Sequence, residues 1–291
     1  MKYNKKLLND FNYMIKKSLN PVEGYDYREI TNDRYYYERR YADSIIDYFK
    51  LTGRKSNEFN KTRGHDDLCI CSMASSGRLC FLFLCDKTDI KFEWHELNGT
   101  SDSDVWLKPS RNDAQYDAFD GKTFYECKCQ EIFNEHEGLS ESYIPVLKNF
   151  FEIKVGSIDG EISAKVSDFH IKGDIADKNY RELHFDLKQL FTHLCAIVKA
   201  KGNVDKYNLN YIFFKPKQEE IDKNDIIKNA YEQLEKELKA IKESKLFTEY
   251  CHIKFDYQFV SVDDNKFAID PQNILKSKKK EILKKYETRL K

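Results

Sequence analysis

The chain has 291 residues, 41% of them hydrophobic and 14% aromatic, which excludes an intrinsically disordered protein and is enough to bury one elaborate core or two small ones. Its 49 basic and 49 acidic residues cancel, which excludes a strongly basic protein that coats nucleic acid nonspecifically but leaves room for a local basic groove. The longest apolar run, 80–85, is far short of a membrane span, and the N-terminus lacks the apolar core of a signal peptide, so a cytoplasmic protein with no membrane partner is expected.

In chain order, 1–20 and 33–52 are expected to be helices, the second with Tyr37, Tyr41, Ile45, Ile46 and Phe49 on one stripe behind an Asn32 or Asp33 cap. Gly53, Asn57, Asn60 and Gly64 mark a polar loop. Residues 66–84 are apolar enough for a buried helix, although CFLFLC at 80–85 also fits a strand. IKFEWHEL at 90–97 alternates as a strand does, and Asn98-Gly99 ends it. A polar loop to Asn112 leads into a hairpin at 116–130. Residues 135–162 are irregular by pattern, with a short helix at 144–150. An amphipathic helix is expected at 181–200, closed by Gly202, then a buried strand at 207–214 stopped by Pro216. Residues 219–245 read as one long charged helix with Ile227, Ala230, Leu234, Leu238 and Ile241 on one side. A strand at 250–262 and a basic helical tail from Pro271 complete the chain. Residues 1–63 carry a net charge of +5 and 272–291 a net +6, which leaves the middle net acidic.

The eight cysteines are expected to be reduced and mostly buried. The pairs Cys69/Cys71 and Cys127/Cys129 lie inside apolar runs and lack the Cys-x2-4-Cys knuckle of structural zinc. His65-Asp66-Asp67 reads as a helix cap, and no glycine-rich loop for a nucleotide cofactor is present.

The hairpin YDAFDGKTFYECKCQ carries the chemistry. Gly121 at the first central position of a two-residue loop suits a type II′ turn, which needs positive φ there. With Gly121 and Lys122 as the loop, Asp120 pairs with Thr123, Phe119 with Phe124, Ala118 with Tyr125, and Asp117 with Glu126. Directly opposed Cβ atoms lie about 4.5–5.5 Å apart, and two carboxylates at that distance repel unless a cation lies between them. Side-chain alternation puts Lys128 on the face of Glu126, while Tyr125, Cys127 and Cys129 make the opposite face apolar. A solvent-facing hairpin would carry the same residue types, so the charged face by itself is also compatible with a surface.

The order helix, strand, strand, strand, helix, strand, with Asp117 on the second strand and Glu126-x-Lys128 on the third, resembles the PD-(D/E)xK nuclease superfamily. Within it the chain is most similar to bacterial predicted restriction endonucleases with an SSxxLxF-like helix before the site, here Ser75-Ser76-Gly77-Arg78-Leu79-Cys80-Phe81. Tyr116 stands where the motif name has proline, and Asp113 is a competing aspartate four positions down the strand. The resemblance covers about 65–215 and implies an α/β (α+β) restriction-endonuclease-like mixed sheet flanked by helices. With no repeat or linker to divide it, 1–291 is expected to be one domain: a helical region at 1–63, that core, and a helix-strand-helix extension at 216–291.

The resemblance implies a DNA endonuclease of restriction or defence type. Asp117 and Glu126 would hold Mg²⁺ (Mn²⁺ substituting), with the backbone carbonyl of Cys127 completing the coordination and Lys128 orienting the attacking water. Of Lys188, Gln189 and His193 on the 181–200 helix, the resemblance nominates Gln189 as a supporting residue. Glu93 and Glu96 are further acidic candidates. A homodimer is expected on the ground that double-strand cleavage usually needs two centres. Two other readings are a catalytically silent nuclease fold that binds nucleic acid or a protein, and a small-molecule metal hydrolase. The absence of a His-rich ligand set disfavours the second.

Overall fold

The computed structural model describes residues 11, 14, 27–30, 35–38, 75–85, 87, 89–96, 114–129, 132, 154–158, 161–166, 169–173, 184–186, 189, 190, 192–194, 196, 197, 205–243, 247 and 252–261. Its centre is an open, mixed five-stranded sheet in the order β10-β9-β5-β4-β3. Strands β3 (Lys91–Glu96), β4 (Ala114–Phe119) and β5 (Thr123–Lys128) form an antiparallel meander, and β9 (Asn208–Phe214) and β10 (Lys254–Val260) are added parallel to β5. With helices α1 (Ser76–Leu84), α2 (Gln218–Ile221) and α3 (Asp225–Lys242), the chain is of the α/β class. Two separate antiparallel sheets accompany it: β1 (Tyr27–Ile30) with β2 (Tyr35–Glu38), and the meander β6 (Lys154–Ile158), β7 (Glu161–Val166), β8 (Phe169–Gly173). No helix among the described residues is long and apolar enough to cross a membrane.

Local chemistry explains where these elements begin. The Ser75 hydroxyl accepts a hydrogen bond from the Arg78 amide at 3.2 Å, so Ser75 caps α1, and the ambiguous 80–85 run is helical through Leu84. Leu79, Cys80, Phe81, Phe83 and Leu84 are buried; a helix apolar on most sides belongs in a core, and α1 packs on β4 and β5. The hairpin turn is as expected: Gly121 has φ +95, and the Asp120 amide donates to the Thr123 carbonyl at 3.2 Å. The Asn208 amide donates to the Lys122 carbonyl at 3.0 Å, tying the start of β9 to the turn.

The helix expected at 66–84 begins only at Ser76, because Ser75 is extended and caps it, and four more expectations need correction. Residues 35–38 belong to β2, paired with β1, so the helix expected from 33 is not formed at 35–38; three consecutive tyrosines, 35–37, favour a pleated strand over a helix. The 154–173 meander replaces the irregular chain expected up to 162. Asp159-Gly160 between two alternating runs is a strong hairpin signal that the reading of this stretch as irregular overlooked. The expected 219–245 helix is two helices. The Asn224 side chain accepts from the amides of Ile226 and Ile227 at 3.1 and 3.2 Å and starts α3 afresh, because a short amide side chain competes with the helical backbone. The fourth correction concerns the 181–200 helix: 184–186 are not helical, and Asp186 caps the segment that contains Gln189. The expected stripe Ile227, Ala230, Leu234, Leu238 and Ile241 is buried on α3. Phe11 and Met14 are helical and buried within the expected first helix. The remaining expectations for 1–26, 39–74, 98–113, 133–153 and 262–291, including His65-Asp66-Asp67, Asp113 and the basic tail, lie outside the described residues.

The turn also carries a charge network. The Asp120 carboxylate accepts from the amides of Thr123 (2.7 Å) and Lys122 (3.0 Å) and from the Tyr125 hydroxyl (2.7 Å), which in turn accepts from the Lys87 ammonium at 2.8 Å. Burial opposes the Asp120 charge, but these hydrogen bonds and Lys87 outweigh it and hold the carboxyl below its ordinary range. A depressed folded-state value stabilises above the unfolded value of about 3.9 and is lost as pH falls through the folded one. Asp120→Asn should therefore flatten the acid limb of the Tm–pH curve below about pH 4; an unchanged limb rejects this network as a source of acid sensitivity.

Candidate active site where two strands part

The β4–β5 ladder follows the expected register, Phe119 with Phe124 and Ala118 with Tyr125, and stops there. Asp117 and Glu126 would be the next rung. Instead, the Cys127 amide, which would meet strand backbone in a continued ladder, donates to the Asp117 carboxylate at 2.7 Å. The aspartate side chain thus takes the place of the departing strand. N–H and C=O of one strand residue point the same way, so the Cys127 carbonyl is directed into the same gap. Strict alternation also fails on β4: Tyr116 and Phe119, three positions apart, both contact Phe124, at ring-centroid distances of 4.7 and 4.3 Å.

Glu126 is the buried acid of the site, 5% exposed. Its Oε1 accepts from the Lys128 ammonium at 2.8 Å and from the Gln189 side-chain amide at 2.8 Å. A carboxylate this deep costs several kcal/mol unless paired and hydrogen-bonded, and these two donors supply both. Gln189 reaches it because Asp186 caps the helical segment: its Oδ1 accepts from the Gln189 amide at 2.9 Å, and its carbonyl accepts from the Leu190 amide at 3.1 Å. One turn later His193, 2% exposed, places Nε2 at 3.9 Å from Glu126 Oε2. Its Nδ1 lies 2.9 Å from the Tyr211 hydroxyl on β9, and its carbonyl accepts from the Tyr116 hydroxyl at 2.7 Å. Burial, then the charge of Glu126, pushes the Tyr211 phenol far up, so it stays protonated. With the Tyr211 hydroxyl donating a hydrogen bond to Nδ1, the imidazole proton lies on Nε2, facing Glu126.

The other face of β5 is inert. Cys127 and Cys129 are buried thiols against α1, Cys129 donating to the Ser75 carbonyl at 3.6 Å. Burial raises the Cys80 thiol to about 11 and the Cys127 thiol well above the ordinary range, with the charges of Asp117 and Glu126 adding to both shifts. Neither is a nucleophile at neutral pH.

Of the sequence-nominated residues, Glu126, Lys128 and Gln189 converge within hydrogen-bond distance, and Asp117 binds the backbone of Cys127, the residue between Glu126 and Lys128. Lys188 and the side chains of Glu93 and Glu96 lie outside what is described. Sequence reasoning missed Tyr116, Asp186 and Tyr211, and it ranked His193 below Gln189. Two signals were present: Asp186-x-x-Gln189 has the spacing of a helix-starting box, and Tyr211 is the polar-tipped residue in the run Tyr211–Phe214, which is otherwise apolar.

Asp117 and Glu126 offer carboxylate oxygens and Cys127 a strand carbonyl, the ligand types that a hard divalent cation takes. Among the described residues no group of three or more His, Cys, Asp or Glu forms a metal site, so any ion there would lean on water or substrate oxygens. Comparison with protein-family models, curated proteins and solved structures gives no match.

Proposed function

We propose that the chain is a metal-dependent nuclease of the PD-(D/E)xK type, with a restriction-endonuclease-like fold, that hydrolyses DNA phosphodiester bonds. The observation that carries this reading is the buried Glu126 carboxylate held by Lys128 and Gln189 beside the point where β4 and β5 separate. The order α1-β3-β4-β5, the 189–197 helical segment and β9, with β9 parallel to β5, agrees with the implied core. The defence role rests on the resemblance alone.

Asp117, Glu126 and the Cys127 carbonyl would hold Mg²⁺, and when bound the ion would lower the pKa of a water and polarise a phosphoryl oxygen. Lys128, on the same face as Glu126, would orient that water and stabilise the negative charge that develops on the phosphoryl oxygens as the new P–O bond forms and the ester P–O bond breaks. Gln189 fixes the Glu126 rotamer, so the carboxylate does not reorganise during the step. His193, braced by Tyr211, closes the inner side of the site against water.

Incubating the protein with methylated and unmethylated plasmid DNA and Mg²⁺ or Mn²⁺ tests the reading. Nicking or linearisation is expected, abolished by EDTA and by Asp117→Asn. Equal absence of cleavage by the wild type and the variant across all conditions rejects the enzyme and leaves a nucleic-acid or protein binder of the same fold. A parallel RNA substrate reads out the sugar preference.

A further inference from the structure

We propose that Glu237, on helix α3 and outside the stretch that resembles a nuclease core, is a positioning residue for the active site. This rests on the nuclease reading for its catalytic consequence, although the structural part stands without it. Glu237 is 3% exposed. On a charged helix a carboxylate that deep demands donors, and the donors here are backbone: Oε2 accepts from the amides of His184 (2.9 Å) and Phe185 (3.0 Å), while Oε1 accepts from the Gln233 side chain at 3.2 Å.

The captured residues immediately precede the cap of the site helix. Asp186 follows Phe185, and Gln189, whose amide Asp186 caps and whose side chain holds Glu126, is four residues beyond Phe185. The same junction is held from the other side. His184 Nδ1 lies 3.2 Å from the Ile132 carbonyl, three residues past Cys129. Phe185 packs edge-on against Tyr211 at 5.1 Å, the tyrosine that braces His193. One carboxylate on α3 thereby fixes the start of the segment that carries both Gln189 and His193. A charged acceptor of two consecutive amides holds them more strongly than a neutral one, and it sets where the first turn begins.

Three substitutions separate positioning from bulk packing. Glu237→Leu removes both acceptors while keeping the buried volume, Glu237→Asp withdraws the carboxylate by one methylene, and Glu237→Gln keeps a carbonyl acceptor. On plasmid DNA with Mg²⁺, Glu237→Leu is expected to lower kcat about 10- to 100-fold with KM for DNA unchanged, Glu237→Asp to lower it less, and Glu237→Gln to recover most of it. Amide hydrogen exchange at Phe185, Gln189 and Leu190 should accelerate in the same order. Wild-type exchange and kcat in folded Glu237→Leu overturns the proposal. Should Glu237→Leu fail to fold, unchanged exchange and kcat in Glu237→Asp overturns it equally. If the wild type cuts no DNA, the nuclease reading falls, and the exchange arm alone decides whether Glu237 sets the position of Gln189.

Discussion

Lys128→Ala is expected to lower plasmid cleavage by about 10²–10⁴-fold, the usual contribution of a positioned proton-transfer or charge-stabilising group. The ammonium sits 2.8 Å from Glu126 Oε1, with its side chain 13% exposed, so it works in a partly dehydrated setting where charge acts more strongly than in water. The same contact makes the substitution structurally costly, because a buried carboxylate loses its cation. Lys128→Gln resolves this: the amide can still donate to Glu126 and fills similar space, but it carries no charge to place near phosphorus. Both variants should lose cleavage, while the glutamine form keeps a near-wild-type Tm. A folded Lys128→Gln protein that cuts DNA at the wild-type rate removes lysine from the mechanism and with it the strongest chemical argument for a nuclease.

Phe124→Ala is expected to destabilise the protein by about 3–5 kcal/mol, the range for removing a fully buried aromatic side chain. Phe124 is 0% exposed and lies two residues before Glu126 on β5. Its ring stacks on Phe119 at 4.3 Å and meets Tyr116 at 4.7 Å and Tyr207 at 5.9 Å. Tyr116 in turn contacts the His193 ring at 4.5 Å, so the void would open beside the candidate site. Against a total stability of about 5–15 kcal/mol, such a loss brings much of the population close to unfolding. Urea titration followed by circular dichroism measures it, with Phe124→Leu as the conservative partner at roughly 1 kcal/mol. A Phe124→Ala midpoint within 1 kcal/mol of wild type would falsify the placement of this ring at the centre of the core.

The two expectations act on different links. Removing the Lys128 charge tests the proposed chemistry, whereas removing Phe124 weakens the sheet that presents the candidate site. A site built on strands is rigid because ladder hydrogen bonds and cross-strand rings fix each Cβ. The cost is that ring removal and loss of function are then coupled. Glu237 belongs to a third kind, since its carboxylate holds the amides of 184 and 185 at the start of a helical segment.

The sequence by itself determined the features that obey short-range rules. Gly121 set the turn, the turn set the first rungs of the β4–β5 register, and alternation put Glu126 and Lys128 on one face with Cys127 and Cys129 on the other. The apolar spacing on α3 named its buried stripe, whereas the start of α1 at Ser75, nine residues past the expected one at 66, was not read from the sequence. These follow from φ preferences, a two-residue or 3.6-residue period and side chains that reach only their own backbone. Only the tertiary structure decided that β4 leaves β5 after Ala118, that Asp117 fills the vacated position, and that Gln189 meets Glu126 across 63 residues of chain. It alone joined Tyr211 to His193 and Glu237 to the amides of 184 and 185. No local rule reaches these, because each is the meeting of a buried polar group with the one partner that can satisfy it, and that partner is chosen when the core closes.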